Sequence, residues 1–165
     1  MTKLSKIRNI KEREIPNDIV FTPLAVAMKL IEMAEIKESD KVLDACKGEG
    51  VFFDNLPNCQ KDYCEIVEGK DFFEYESRID VIICNPPYSL YTRWINKCIY
   101  LSPQKIAFVM GSLNLTTKRL KILEDNNYFL TKMCILNIRG WFANTLLVVF
   151  ERNGTPIIEY NTKWF

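Results

Sequence analysis

Histidine is absent from this sequence of 165 residues. Its absence excludes nucleophiles activated by an imidazole and every zinc site with a histidine ligand. The six cysteines form no Cys-x-x-Cys pair and have no regular spacing, so we expect free, mostly buried thiols in a reducing compartment. An all-cysteine metal site is disfavoured by the same spacings, and we predict no metal ligands.

The sequence also lacks a long hydrophobic run. The longest apolar stretches, such as 81–84 and 145–150, are far too short to cross a bilayer. The first residues are basic and polar, unlike the apolar segment of a signal peptide. We therefore expect a cytoplasmic protein that does not act on a membrane.

A strong charge of either sign is missing as well, since the formal net charge is +1. Composition alone therefore does not indicate a nucleic-acid-binding protein. Basic residues do cluster in a leader over 1–16, which is either a solvated tail or an arm that contacts phosphates. With 48% hydrophobic residues, the length fits one domain over 1–165.

The remaining pattern alternates short apolar strands with amphipathic helices. A helix is predicted over 23–35, with Thr22 as its N-cap and Pro23 in its first position. Further helices are predicted over 51–56, 91–101 and 116–125, and strands over 41–45, 62–66, 80–84, 105–110, 129–138 and 145–151. This alternation predicts an α/β fold, a three-layer αβα sandwich whose mainly parallel sheet has an antiparallel closing strand.

Polar side chains stand where three predicted strands end. Asp44, Glu65 and Asn85 each lie at or near a strand's carboxyl end. In open α/β sheets, ligands bind beyond these ends. We therefore expect the three side chains to converge on one site.

The loop after the first strand is rich in glycine. Gly48 and Gly50 permit a tight turn and a close approach of backbone to ligand, although an ordinary strand-to-helix turn explains them equally well. Asp44, just before the loop, is a ready acceptor for a cationic or amino group. Glu65 is either a carboxylate that binds ribose hydroxyls or a surface acid. Asp71-Phe72 could contact an adenine ring, and the alternative is that the phenylalanines at 72 and 73 belong to the core.

The tetrad Asn85-Pro86-Pro87-Tyr88 directly follows the most apolar strand. The prolines fix their backbone torsions and make the turn stiff. Two acceptors, the Asn85 side-chain oxygen and the Pro86 carbonyl, can hold the protons of an amino group, while Tyr88 can stack on a planar ring. A purely structural corner requires none of this combination.

These motifs, in the order Phe21-Thr22-Pro23, Asp44 to Gly50 and Asn85 to Tyr88, resemble the amino-methyltransferases that use S-adenosylmethionine, especially the adenine-N6 DNA methyltransferases. The resemblance spans about residues 17–151. It implies a Rossmann-like class I methyltransferase fold, in which Asn85, Pro86, Pro87 and Tyr88 are catalytic. It further implies that the cofactor is held by Phe21, Thr22, Pro23, Asp44, Cys46, Gly48, Gly50, Glu65, Asp71 and Phe72.

The sequence departs from that family in two places. Between Glu65 and Asp80 there is no room for the usual helix and third strand, and no segment remains for a separate target-recognition domain. Trp141 and Phe142, in the closing connection, are the candidates for stacking on a flipped-out base. A hydrophobic plug is an equally good interpretation of Trp141.

We therefore expect a methyltransferase that acts on adenine N6, with DNA as the first candidate partner. The tetrad is shared by enzymes acting on RNA, on cytosine N4 and on protein glutamine, so these acceptors remain alternatives. A non-catalytic subunit that binds cofactor or nucleic acid is a further alternative, against which the intact tetrad argues. A domain of this size that grips a duplex could act as a homodimer or with a partner subunit.

Overall fold

The computed structural model describes residues 20–139, 141 and 144–160. The basic leader over 1–16 and Phe142 lie outside these residues. The helices are α1 (Leu24–Ala34), α2 (Tyr91–Leu101) and α3 (Thr117–Glu124). The strands are β1 (Lys41–Asp44), β2 (Gln60–Tyr63), β3 (Val81–Cys84), β4 (Lys105–Gly111), β5 (Tyr128–Leu136) and β6 (Thr145–Arg152).

The strands form one six-stranded sheet in the order β2-β1-β3-β4-β6-β5. The first four in this order are parallel, and β6 runs antiparallel to both of its neighbours. The predicted mainly parallel sheet with an antiparallel closing strand is therefore confirmed. The chain continues from β1 to β2 on one side and then crosses to β3 on the other side of β1. This reversal of strand order opens a crevice at the carboxyl ends of β1 and β3.

Two apolar clusters, one on each face of the sheet, complete the three layers. On one face, α1 buries Ala27, Leu30 and Ala34 against the sheet. On the other face, α2 and α3 bury Tyr91 and Leu120 with their neighbours. Full burial of a large apolar side chain contributes about 1.5–3 kcal/mol, so these clusters hold the strand ends in fixed positions.

Helix α1 begins one residue later than predicted. Pro23 is its N-cap, and the Pro23 carbonyl accepts the first backbone hydrogen bonds from Val26 and Ala27 at 2.9 and 3.1 Å. The prediction that Thr22 caps the helix is wrong. Its hydroxyl oxygen accepts instead from the side chain of Asn85 at 3.2 Å.

The helix predicted over 51–56 is reduced to a single 3-10 turn, Phe53–Asn55. Leu56 has extended backbone angles (φ −60°, ψ 146°) because it precedes Pro57, which disfavours the helical conformation, so the helix ends after one turn. Strand β2 likewise ends earlier than predicted, because the side chain of Glu65 accepts from the amide of Val67 and caps another 3-10 turn, Ile66–Glu68. Between Glu65 and Asp80 the described chain forms two 3-10 turns and no strand.

Six free cysteines are distributed through the fold. Cys64, Cys84 and Cys98 are buried, and the other three are partly buried. Burial raises the pKa of the Cys84 and Cys98 thiols well above the ordinary value, which keeps them protonated and unreactive. No helix within the described ranges has the length and apolar character needed to cross a membrane.

Candidate active site at the ends of strands β1 and β3

The loop after β1 is shaped by two glycines with positive φ angles. Gly50 has φ 88°, and a Cβ atom added there would lie 2.7 Å from Oδ2 of Asp54. Gly48 has φ 52°, and a Cβ atom there would meet nothing within 4 Å. The φ angle favours glycine at position 50, where a side chain would also displace the Asp54 carboxylate, whereas Gly48 presents open backbone to the crevice.

Asp44 organises this loop from behind. Its side chain is fully buried, and its carboxylate accepts from the amides of Cys46 at 3.4 Å and Phe53 at 3.1 Å. Burial raises the pKa of Asp44 from 3.8 to about 7, although the two amide donors act in the opposite direction. The Asp44 oxygens thus face the backbone of their own loop, and the expectation that Asp44 accepts from a cationic or amino group stays a prediction.

Glu65 ties the same loop to the end of β2. One carboxylate oxygen accepts from the amide of Gly48 at 2.7 Å, and the other accepts from the amide of Val67 at 3.2 Å. The side chain is partly buried. Each carboxylate oxygen has a second acceptor position, so Glu65 can still accept from a hydroxyl beside Gly48.

Asn85 is held by the segment before α1 and by the β1 loop. Its side-chain Nδ2 donates to the carbonyl of Val20 at 3.1 Å and to the hydroxyl of Thr22 at 3.2 Å. Its Oδ1 is enclosed and has no hydrogen-bond partner among the described residues. The Cys46 thiol donates to the Asn85 main-chain carbonyl at 3.1 Å. The structure thus brings Thr22, Cys46 and Asn85 together.

The rest of the tetrad forms a compact turn into α2. Pro86 is buried, and the carbonyl of Pro87 accepts from the amide of Leu90 at 3.0 Å. The Tyr88 ring is partly buried and stacks on Tyr91, with centroids 5.8 Å apart and planes inclined by 29°. Tyr91 is itself fixed by a hydrogen bond from its hydroxyl to the carbonyl of Val109 at 2.5 Å. Tyr88 is therefore supported from behind at the carboxyl edge of the sheet.

One cavity joins the β1 loop, the segment before α1 and the tetrad. Its volume is about 60 Å³, and five predicted site residues line it: Phe21, Thr22, Cys46, Gly48 and Asn85. Val20, Lys47, Glu49, Val51 and Phe52 complete the lining, and sequence reasoning missed them. The position of Lys47 and Glu49 beside the loop glycines was a usable signal, whereas the backbone role of Val20 has no signature in its side chain.

Pro23 and Gly50 do not line this cavity. A much larger cavity of about 590 Å³ lies between α3, the start of β5 and residues 156–160. Since Tyr128 at the start of β5 pairs with the end of β6, and β6 ends beside the start of β4, this larger cavity lies at the amino edge of the parallel strands. It is therefore remote from the tetrad.

Asp71 and Phe72 differ from the expectation for an adenine contact. The Phe72 ring is 2% exposed and stacks on Trp94 with centroids 4.6 Å apart. Asp71 is partly buried and accepts from the amide of Phe73 at 2.8 Å. The Phe72 side chain is thus a core aromatic, as the alternative interpretation held, and the adenine contact of Asp71-Phe72 stays a prediction.

The connection between β5 and β6 reaches the same edge of the sheet as the tetrad. Gly111 at the end of β4 pairs with Thr145, and the amide of Ser112 donates to the carbonyl of Asn144 at 2.8 Å. Trp141 is partly buried and packs against the apolar cluster beneath α1. This contact is the one expected of a hydrophobic plug, while Phe142 lies outside the described residues.

No protein-family model and no curated protein matches the sequence. Solved structures do match. A proposed RNA methyltransferase from Pyrococcus horikoshii superposes with a TM-score of 0.68 at 18% identity, covering 90% of this chain and 92% of its own. The fold is that of methyltransferases.

Two further matches extend this comparison. The magnesium protoporphyrin IX methyltransferase from Synechocystis PCC 6803, solved with bound S-adenosylmethionine, has a TM-score of 0.58 and 15% identity over 77% of this chain and 76% of its own. A modification subunit of a proposed type I restriction enzyme from Vibrio vulnificus YJ016 has a TM-score of 0.61 and 15% identity over 93% of this chain. The match spans only 48% of that subunit's length.

Proposed function

We propose that this protein transfers a methyl group from S-adenosylmethionine to a planar nitrogen, with adenine N6 in DNA as the first candidate acceptor. The observation that carries the proposal is the side-chain amide of Asn85. Its nitrogen is engaged by Val20 and Thr22, and its Oδ1 is enclosed without a partner in the described structure. An unpaired buried acceptor costs about 1–3 kcal/mol, and an incoming N–H group removes this cost.

The chemistry of an exocyclic amino group explains why an acceptor is needed there. Its lone pair is delocalised into the ring, so the nitrogen is a poor nucleophile. Hydrogen bonds to Asn85 Oδ1 and the Pro86 carbonyl hold its protons and stabilise the positive charge that develops on nitrogen. Tyr88, supported by Tyr91, offers a stacking surface for the ring. Because Oδ1 is enclosed, the substrate that accepts the methyl group must displace part of the surrounding chain to reach it.

The residues of the crevice fit a nucleoside cofactor. The open space above Gly48 admits a ligand close to the backbone, and the Glu65 carboxylate lies against the same residue, where it can accept from ribose hydroxyls. Phe21 and Thr22 line the opposite wall. When bound, S-adenosylmethionine would supply a methyl group on a positively charged sulfur. The substrate nitrogen would take this methyl group and release a proton to solvent, and the sulfur would leave with the carbon–sulfur electron pair as the neutral thioether S-adenosylhomocysteine.

The crevice must widen to hold such a cofactor. Ligand sites typically measure about 300–1,000 Å³, whereas the cavity is about 60 Å³. Phe21 is 57% exposed, and Gly48 and Glu49 are exposed on the facing wall. Separation of these walls on the solvent side enlarges the crevice without disturbing the buried Asp44. In this proposal Asp44, Cys46 and Gly50 shape the loop, while Pro23 and Asp71 flank the site.

RNA is the second candidate acceptor. The Pyrococcus protein matches this chain over nearly the full length of both, whereas about half of the type I modification subunit lies outside the match. This size agreement supports RNA, while the tetrad and the resemblance to adenine-N6 enzymes support DNA. A partner subunit or a second copy of the chain remains part of the proposal for either nucleic acid.

The test is transfer of tritium from labelled S-adenosylmethionine to unmethylated DNA, to RNA and to a release-factor-like protein. Hydrolysis of the products and mass spectrometry then identify the methylated nitrogen. We expect N6-methyladenine in DNA, with the Asn85→Ala variant as the background control. Label found in RNA, in cytosine or in glutamine instead would show that this group, and not adenine N6 in DNA, accepts the methyl group. Cofactor binding without transfer to any acceptor would indicate a non-catalytic subunit.

A further inference from the structure

The segment that precedes α1 contacts two parts of the site at once. The carbonyl of Val20 and the hydroxyl of Thr22 accept from Nδ2 of Asn85. The side chains of Phe21 and Thr22 face the cavity beside Gly48. The same short stretch of chain thus forms one wall of the cofactor crevice and holds the side-chain amide of Asn85, which is proposed to bind the methyl acceptor.

The Val20 contact fixes which way the amide points. A main-chain carbonyl can only accept, so the nitrogen of the Asn85 amide must face it. A rotated amide would place Oδ1 against this carbonyl, with two acceptors in contact and the donor lost. The enclosed Oδ1 is therefore directed away from the segment, where it can accept from a substrate.

The Thr22 contact occupies the second amide hydrogen. With both hydrogens donated, neither is left to repel the protons of an incoming amino group. Hydrogen bonds in a chain also polarise one another, so donation by Nδ2 strengthens Oδ1 as an acceptor. The hydroxyl of Thr22 serves no competing purpose at the helix terminus, because α1 has Pro23 as its N-cap and no side-chain cap.

We propose that Thr22 is a positioning residue, which orients Asn85 through its hydroxyl and makes acceptor binding depend on the placement of the cofactor-binding segment. The inference rests on the proposed methyl transfer and deepens it. Entry of the cofactor between Phe21 and Gly48 presses on the segment that holds the Asn85 amide. Cofactor binding therefore changes the affinity for the acceptor, and by linkage the acceptor changes the affinity for the cofactor to the same extent.

Two substitutions separate the hydroxyl from the rest of the side chain. Thr22→Val keeps the shape and removes the hydroxyl, whereas Thr22→Ser keeps the hydroxyl and removes the methyl group. Thr117→Val is the matched control, since Thr117 is exposed in the first turn of α3. The measurements are kcat and the acceptor KM at saturating S-adenosylmethionine, and the cofactor Kd by calorimetry with and without acceptor.

We expect Thr22→Val to lower kcat by about tenfold or more, as loss of a partly buried hydrogen-bond partner implies. The cofactor Kd in the absence of the methyl acceptor should change by less than about threefold. Thr22→Ser should restore most of kcat, and Thr117→Val should match the parent protein. The dependence of acceptor affinity on bound cofactor, and of cofactor affinity on bound acceptor, should weaken in Thr22→Val alone.

Three outcomes overturn the inference while leaving the proposed methyl transfer intact: an unchanged kcat in Thr22→Val, a loss confined to cofactor affinity, or a loss that Thr22→Ser does not restore. A spectroscopic readout is independent of activity. The side-chain amide signals of Asn85 in a nitrogen-15 NMR spectrum should shift in Thr22→Val and stay in place in Thr117→Val. If the parent protein transfers no methyl group, the proposed function fails, and this spectrum still decides whether Thr22 holds the amide.

Discussion

The thiol of Cys46 donates to the main-chain carbonyl of Asn85 across a distance of 3.1 Å. This contact joins the loop after β1 to the turn after β3, and the two residues are 39 positions apart in the sequence. It exists because β1 and β3 are adjacent and parallel, so that their carboxyl ends meet. The glycine loop and the tetrad are therefore one structural unit, and the following predictions test its parts.

Replacing Asn85 with alanine should reduce methyl transfer by about 10²- to 10³-fold, the loss expected when one preorganised hydrogen-bonding group is removed from a transition-state site. The cofactor Kd should stay close to that of the parent, because the substitution removes no part of the Gly48 and Glu65 wall. Steady-state kinetics measure the loss of methyl transfer, and calorimetry measures the cofactor Kd. Retained activity would show that Asn85 does not hold the acceptor.

The two loop glycines should respond differently to alanine. At Gly50 the new methyl group meets Asp54 at 2.7 Å and φ is 88°, so Gly50→Ala should lower the free energy of unfolding by about 1–3 kcal/mol. At Gly48 there is space and only the φ angle of 52° opposes alanine, so Gly48→Ala should cost about 1 kcal/mol but weaken cofactor binding. Denaturant unfolding and calorimetry separate the effects, and equal unfolding costs would contradict the loop packing described above.

Asp44 should make stability depend on pH in an unusual direction. Burial raises its pKa from 3.8 to about 7, so between these values the folded protein keeps a proton that the unfolded chain has released. The retained proton adds to the free energy of unfolding. This addition is fully present below about pH 4, and it is lost as pH rises to about 7. Its size is on the order of 4 kcal/mol, from about 1.4 kcal/mol per pKa unit.

Asp44→Asn should flatten that slope, as measured by denaturant unfolding at a series of pH values. The oxygen of the asparagine side chain can accept from the backbone N–H of Cys46 or of Phe53. Its NH2 group then faces the other N–H, which is also a donor, so the variant should be less stable at low pH. Glu38→Gln is the matched control, because Glu38 is exposed. A slope unchanged in Asp44→Asn would show that Asp44 does not retain the proton.

Tyr88 should contribute through its ring. Stacking of a base on an aromatic side chain is worth about 1–3 kcal/mol, so Tyr88→Ala should raise the acceptor KM by about tenfold or more, while Tyr88→Phe should retain most of the affinity. Tyr100→Ala is the control, since Tyr100 is 65% exposed on α2 and bonded to Glu76. If alanine and phenylalanine at position 88 behave alike, stacking is not the role of Tyr88.

Several features of the site were predictable from local sequence. Helix α2 has the predicted bounds, and α3 lies within the predicted range 116–125, with Thr116 as its N-cap. Their apolar spacing and capping residues act within a few positions of one another, where sequence patterns are informative. The convergence of the strand ends also followed from the parallel sheet, a consequence of strand and helix alternation.

Other features depended on contacts between distant segments. Thr22 was predicted as a helix cap because threonine before proline favours one, but Asn85, 63 positions away, takes its hydroxyl. Asp44 was expected as an acceptor at the strand end, and the donors that the structure places beside it are the amides of its own loop. Phe72 was predicted either beside an adenine or in the core, and the structure stacks its ring on Trp94. In each case the residue type allowed two partners, and tertiary packing selected one.

The sequence alone determined the layered α/β architecture and the residues available for chemistry at the strand ends, because hydrophobic periodicity and stiff turn residues act locally. Only the tertiary structure decided how Asn85 is oriented. A side-chain amide has two nearly equal ends, and its direction depends on which acceptors lie beside it. Here Val20 and Thr22 take the nitrogen, and the oxygen is left for the substrate.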